Sequence, residues 1–189
     1  QGRRCRQCLS GNDQTQTGLQ TLTMEKKKRP KPNTARSAGR LAAVQGLYRI
    51  ELSDARVDDV IRETMTPEAE TEDGGPITES DRELMARILR GVITNQTEID
   101  EMLGHALKGD MVPARLETLL RVLLRAGVQE LAFDTSAPAR VVIDEYLNVA
   151  HAFFDLSEAK LVNGVLDRLA HVHRSAELGN PAAGFGKNG

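Results

Sequence analysis

Aromatic side chains are scarce in this sequence. Tryptophan is absent, and the aromatic share is only 3% of the 189 residues, although 40% of them are hydrophobic. The core must therefore be built from Leu, Val, Ile and Ala. Such a core suits packed helices better than sheets, which favour aromatic and β-branched residues.

Long apolar runs are missing as well. No stretch approaches the roughly 18 residues that a membrane-spanning helix needs. The first forty residues are polar and basic and contain no apolar segment of the kind found in secretion signals. We therefore expect a soluble cytoplasmic protein that does not contact a membrane.

The motifs that usually carry catalysis or nucleotide binding are also lacking. The sequence contains no G-x-S-x-G, no G-x-x-x-x-G-K-[ST], and no G-x-G-x-x-G following a strand. Hydrolase and nucleotide-binding functions gain no support from it. We expect a protein that is not an enzyme and that uses no cofactor.

Metal ligands are too few to form a site. Cys5 and Cys8 form a C-x-x-C motif but have no second pair of ligands, and a structural zinc site needs four. On a helix, side chains two positions apart diverge, as those of His171 and His173 must. We expect no bound metal and interpret the two cysteines as incidental.

Charge is distributed unevenly along the chain. Residues 1–40 hold ten basic and two acidic side chains, so that this segment carries +8 while the whole chain carries −2. A basic arm on an acidic body is typical of contact with nucleic acid, although a solvated extension can have the same composition. The sequence predicts that the first segment attracts a polyanion.

Apolar residues at intervals of three and four predict a compact bundle of about seven helices. The fifth is apolar on most of its circumference and should lie at the centre. A disordered basic leader is expected at 1–32, one helical domain at 33–172 and a disordered tail at 173–189. Met24 opens the basic run, and we leave residues 1–23 out of the predicted fold, with their place in the native protein open. The predicted helices lie near 33–52, 57–65, 78–92, 99–107, 113–131, 138–153 and 157–169.

The basic leader and the first helix carry the candidate RNA-binding residues. Two arginines four positions apart form a stripe that continues the basic line of the leader, and an amide and a phenol follow on the same helix. Cations attract phosphates, while amide and phenol groups hydrogen-bond to unpaired bases or stack on them. The tyrosine can equally pack in the core. The residues are Lys28, Arg29, Arg36, Arg40, Gln45 and Tyr48.

Four motifs in order resemble those of the bacterial antitermination factor family NusB. The family's basic segment before A-V-Q-A-L-Y is similar to residues 35–48, ARSAGRLAAVQGLY. Its L-R-x-A-x-x-E-L helix is similar to residues 120–131, LRVLLRAGVQEL. Its P-x-x-V-x-I-N-E start is similar to residues 138–146, PARVVIDEY, and its V-N-G-V-L-D signature stands at 162–167.

The resemblance implies an all-α fold of two packed helical subdomains. It also implies a partner, the small-subunit ribosomal protein NusE, and binding of the pair to single-stranded boxA RNA in ribosomal RNA leaders. The assembly would join other Nus factors on RNA polymerase and support antitermination. Lys160 and Leu161 at the start of the last helix would complete the RNA surface, and Glu130 would face NusE.

The sequence departs from the family pattern at several positions. Ser37 and Ala38 stand where the family is often basic, Leu161 replaces a frequent aromatic residue, and Asp144 replaces an asparagine. Asn163 and Gly164 we interpret structurally, because small residues permit helices to approach closely.

Two other functions stay open. One is an RNA-binding accessory domain of the kind that precedes some ribosomal RNA cytosine methyltransferases. The other is a helical module that binds only protein. The sequence leaves a homodimer open as well.

Overall fold

The computed structural model describes residues 37–64 and 78–178, and within these ranges the chain forms helices and no strand. The all-α prediction is confirmed. The helices are α1 (Ser37–Ser53), α2 (Val57–Thr64), α3 (Glu79–Thr94), α4 (Gln96–Ala106), α5 (Thr118–Val128), α6 (Ala139–Phe153), α7 (Leu156–His173) and α8 (Ser175–Leu178). None of them is both long and apolar enough to cross a membrane.

Helix α3 begins as the sequence predicts. The backbone N–H of Asp81 donates to the Thr78 hydroxyl, and the carboxylate of Asp81 accepts from the Thr78 backbone N–H. This reciprocal arrangement satisfies two donors that a helix start would otherwise leave unpaired. Asp81 also accepts a hydrogen bond from the backbone N–H of Gly39, 3.2 Å away, so the cap of α3 also holds the start of α1.

Helix α5 starts later than the sequence predicts. Pro113 opens only a short 3₁₀ turn, Pro113–Arg115, and Leu116 and Glu117 then adopt extended backbone before α5 begins at Thr118. The helix continues into a π-helical segment, Gln129–Phe133. Every residue from Val122 to Leu131 is buried, which confirms α5 as the central helix.

The other helices pack around α5. Helix α1 lies against α3 and α5, while α6 packs along α7 and both contact α5. Two glycines mark close approaches between helices. A Cβ at Gly39 would lie 2.6 Å from the backbone oxygen of Asp81, and one at Gly127 would lie 2.8 Å from the Leu166 side chain. The sequence therefore uses glycine where α1 meets α3 and where α5 meets α7.

The chain after His173 is partly ordered, against expectation. Arg174 is buried, and Ser175–Leu178 form a short helix. Glu177 accepts from Arg174 and from the backbone N–H of Ala139 at the start of α6. This contact fixes α8 to α6. The predicted leader and the end of the predicted tail, 179–189, lie outside the described residues.

Candidate nucleic-acid interface

Helix α1 presents one open face to solvent. Gln45, Tyr48 and Leu52, spaced by three and four residues, lie on this face, which we call the α1 stripe. Gln45 is exposed, Tyr48 is 37% exposed and Leu52 is 63% exposed. Tyr48 is thus on the surface, where its ring and hydroxyl can be reached by a ligand.

Arg40 faces the core of the bundle, so its predicted place on a basic stripe with the leader is wrong. Its side chain is fully buried. Its Nε and Nη2 each donate to a carboxylate oxygen of Glu130 over 2.8 Å. The two-pronged pairing fixes the guanidinium inside the protein. Arg40 therefore cannot contact RNA in this conformation, and we remove it from the candidate surface.

Glu130, which accepts both hydrogen bonds from Arg40, is buried as well. Its predicted contact with a partner protein is therefore also wrong. Only 1% of the residue is exposed, and besides Arg40 its carboxylate accepts from the Tyr146 hydroxyl over 2.9 Å. A second carboxylate, Glu145, lies 3.8 Å from Arg40 Nη1 and accepts from the Ser37 hydroxyl. The cluster joins α1, α6 and the π segment through charged hydrogen bonds.

The pKa values in this cluster keep the pairing intact. Burial alone would lower the pKa of Arg40, but the hydrogen bond and negative charge of Glu130 outweigh it and raise the pKa. Burial and, after it, the charge of Glu130 raise the pKa of Tyr146 well above its usual value. Arg40 stays charged and Tyr146 stays neutral, so that the phenol donates to the carboxylate at neutral pH.

The start of α7 supplies the other predicted RNA residues. Lys160 is exposed and has no acidic partner among the residues described, while Leu161 is half-buried against the core. Helix α6 links this region to α1, because its Glu145 contacts Ser37 and Arg40 while its length packs along α7. Lys28, Arg29 and Arg36 lie outside the described residues.

Most arginines of the described part are already paired. Arg49, next to Tyr48, binds Glu63, and the exposed arginines of α3 bind acids as well. The exposed cations with no ion pair between described residues are Arg56, Lys108, Arg115, Arg140 and Lys160. Few cations of this part are therefore free to bind phosphates.

A second ion-pair cluster, which sequence reasoning missed, fixes the other end of α1. Glu51 accepts from Arg121 and Arg125, and Arg125 also binds Asp100 of α4 through two hydrogen bonds of 2.8 and 2.7 Å. Partial burial would raise the pKa of Glu51, but the two arginines outweigh it and the pKa lies below its usual value. The only sequence signal is an i, i+4 arginine pair on an otherwise apolar helix.

The structural interpretation of Asn163 and Gly164 is wrong. Both are exposed on α7, and a Cβ at Gly164 would meet nothing within 4 Å. The close helix approach that explains a buried glycine occurs at Gly127 instead. In the part of the chain that the structure describes, no group of three or more His, Cys, Asp or Glu residues is placed to hold a metal ion.

Known proteins are similar to this chain in sequence and in fold. The family model described as "NusB family" matches residues 37–171. The transcription antitermination protein NusB of Allorhizobium ampelinum is 40% identical over 151 residues, which cover 79% of this chain and 94% of that protein. A solved T. maritima NusB is 27% identical with a TM-score of 0.64 and covers 77% of this chain and 97% of its own.

A third comparison concerns the fold alone. A chain in the crystal structure of the antitermination factors NusB and NusE in complex with double-stranded RNA is 23% identical, with a TM-score of 0.62. The alignment covers 72% of this chain and 96% of that one. The matched family model and the relative that is aligned over most of both chains lead to one conclusion: the chain belongs to the NusB family.

Proposed function

We propose that this protein is a transcription antitermination factor that binds single-stranded boxA RNA in ribosomal RNA leaders together with NusE. The bound pair joins other Nus factors on RNA polymerase and promotes processive transcription. The observation that carries the proposal is the open α1 stripe, which places Gln45 and Tyr48 on the surface directly after the basic leader. Family membership and the name of the relative described above support the same function.

The chemistry of the stripe fits unpaired bases. The Tyr48 ring offers a platform on which one base stacks, and the Gln45 amide can both donate to and accept from a base edge. Lys28 and Arg29 in the leader, Arg36 just after it and Lys160 on α7 supply charge for the phosphates. Because phosphate contacts position the RNA while base contacts select it, specificity belongs to the stripe and affinity mainly to the leader.

A different surface from Glu130 suits the NusE partner. Phe153 and Leu156 at the turn between α6 and α7 are 40% and 69% exposed. Phe153 lines a groove of about 290 Å³ together with Glu117 and Glu158, and Leu156 directly follows Asp155, another residue of its lining. Exposed apolar groups with an acidic rim complement a basic ribosomal protein. The solved NusB–NusE assembly shares this fold, so the fold is compatible with such a complex.

The test is binding of boxA RNA and of a scrambled RNA, each with and without NusE. We expect weak binding alone, tighter binding with NusE, and a clear preference for boxA. Tyr48→Ala should weaken boxA binding by about tenfold, within the range for one stacked base, while Tyr48→Phe keeps the ring and most of the affinity. Equal affinity for the scrambled RNA would reduce the function to general electrostatics.

The same chain also tests the competing functions. Methyl transfer to ribosomal RNA would support the accessory-domain hypothesis, and NusE binding without any RNA binding would support the protein-binding module. A homodimer that covers the α1 stripe would compete with RNA. We therefore expect light scattering to show one copy of this chain in the RNA complex.

A further inference from the structure

A polar groove runs between α6 and α7 on the outside of the bundle. It has a volume of about 310 Å³, and its lining combines a guanidinium, two carboxylates, an amide and an imidazole with two apolar side chains. It lies apart from the α1 stripe, and no function proposed above uses it. The lining residues are Arg140, Ile143, Asp144, Asn163, Asp167, His171 and Leu178.

Much of the hydrogen-bonding capacity in this groove is unused. Arg140, Asp144 and Asn163 are exposed and bond to no other described residue. His171 Nδ1 lies 2.8 Å from the backbone oxygen of Asp167. Since a carbonyl oxygen only accepts, Nδ1 donates in this contact, and Nε2 has no partner among the described residues. The groove thus offers both donors and acceptors to a ligand.

The groove continues the candidate RNA surface. Lys160, Asn163, Gly164, Asp167 and His171 lie on one face of α7, so a line of accessible groups starts at a proposed RNA residue and ends in the groove. Eleven residues of helix span about 16 Å. Gly164 is exposed in the middle of this face with open space around it. A flat ligand can therefore lie against the backbone of α7 at that point.

We infer that the α6–α7 groove is a second RNA subsite, which takes the bases of nucleotides flanking the boxA element. The inference rests on the proposed function, because it extends the same RNA. Asp144 and Asp167 repel phosphates, whereas carboxylates and amides recognise the amino and ring N–H groups of bases. The bases therefore face the groove, and the phosphates face solvent, with Arg140 and Lys160 near the two ends.

The experiment compares a core boxA RNA with the same RNA extended by six nucleotides at each end, using the full chain and NusE. We expect the extended RNA to bind about tenfold tighter, the contribution of about one bound base. Asp144→Ala combined with Asn163→Ala should abolish that gain and leave the affinity for the core RNA unchanged. Arg115→Ala, an exposed arginine outside the groove, is the matched control and should keep the gain.

Three outcomes separate the two proposals. Failure of the core RNA to bind overturns the proposed function. Binding of the core RNA without a gain on extension, or with a gain that survives in the double variant, overturns the groove alone. As an independent readout, 4-thiouridine in the extension should crosslink to peptides of α6 and α7 in the unsubstituted protein. Crosslinks found only elsewhere would contradict the inference.

Discussion

At the scale of the residue, Arg40 shows what helical spacing cannot reveal. The i, i+4 relation between Arg36 and Arg40 is correct as local geometry, but the partner of Arg40 is Glu130, ninety positions further along the chain. Only the packing of α1 on the end of α5 brings the two together. Tyr48 is the opposite case, because the sequence left its surface and core positions equally open and the fold places it on the surface.

The buried pair should be costly to break. Glu130→Gln removes one carboxylate and leaves Arg40 with only the more distant Glu145. We expect it to lower the free energy of unfolding by about 3 kcal/mol, the lower part of the range for an uncompensated buried charge. Urea denaturation measures this. Glu63→Gln, which breaks the exposed pair with Arg49, should change the stability little. Equal effects of the two variants would mean that the buried cluster is not a stabilising contact.

At the scale of the element, periodicity predicted where the helices lie, including a third helix that begins near Thr78. The late start of α5 was not predictable, because Pro113 is favourable in the first turn of any helix. Nothing in the local sequence indicates that the backbone of Leu116 and Glu117 is extended. The roles of the glycines were not predictable either. Gly127 and Gly164 both sit inside helices, and only the neighbours distinguish the buried one from the exposed one.

Two glycine-to-alanine substitutions should therefore change the stability of the protein in opposite directions. Gly39→Ala places a methyl group against the backbone of Asp81, so α1 and α3 must separate and stability should fall by about 1–3 kcal/mol. Gly164→Ala meets no atom within 4 Å and should raise stability by up to about 1 kcal/mol through helix propensity. Thermal or urea unfolding measures whether each variant is more or less stable. A loss of stability in Gly164→Ala would contradict the open environment described for this residue.

At the scale of the whole molecule, ion pairs connect helices that are distant in sequence. The cluster of Glu51, Arg121, Arg125 and Asp100 ties α1, α4 and α5 together, and Asp134 pairs with Arg87 of α3. Partial burial opposes ionisation of Asp134, but hydrogen bonds from Ser136 and the charge of Arg87 lower its pKa. The sequence shows many charged residues, but it does not show which of them form ion pairs in the folded protein.

These lowered pKa values set the acid stability. A carboxylate whose pKa is lower when folded contributes stability above its unfolded pKa and loses it as the pH falls through the folded value. Stability from Glu51 should therefore hold near neutral pH and decline below about its ordinary value of 4.5. Glu51→Gln should lower stability at pH 7 and reduce the acid loss in denaturation curves from pH 7 to pH 3. If the dependence of stability on pH were the same in Glu51→Gln as in the unsubstituted protein, this cluster would not be the source of the acid loss.

The central claim is that a basic leader and the open face of α1 together bind single-stranded RNA. The most direct measurement is the salt dependence of boxA affinity for the complex with NusE when Lys28, Arg29 and Arg36 are all changed to alanine. Each phosphate contact on a single strand contributes about 0.7 to the slope of log affinity against log salt. The account predicts weaker binding and a slope shallower by about 2, while Lys108→Ala with Arg115→Ala leaves both unchanged. An unchanged slope and affinity in this triple variant would contradict the account.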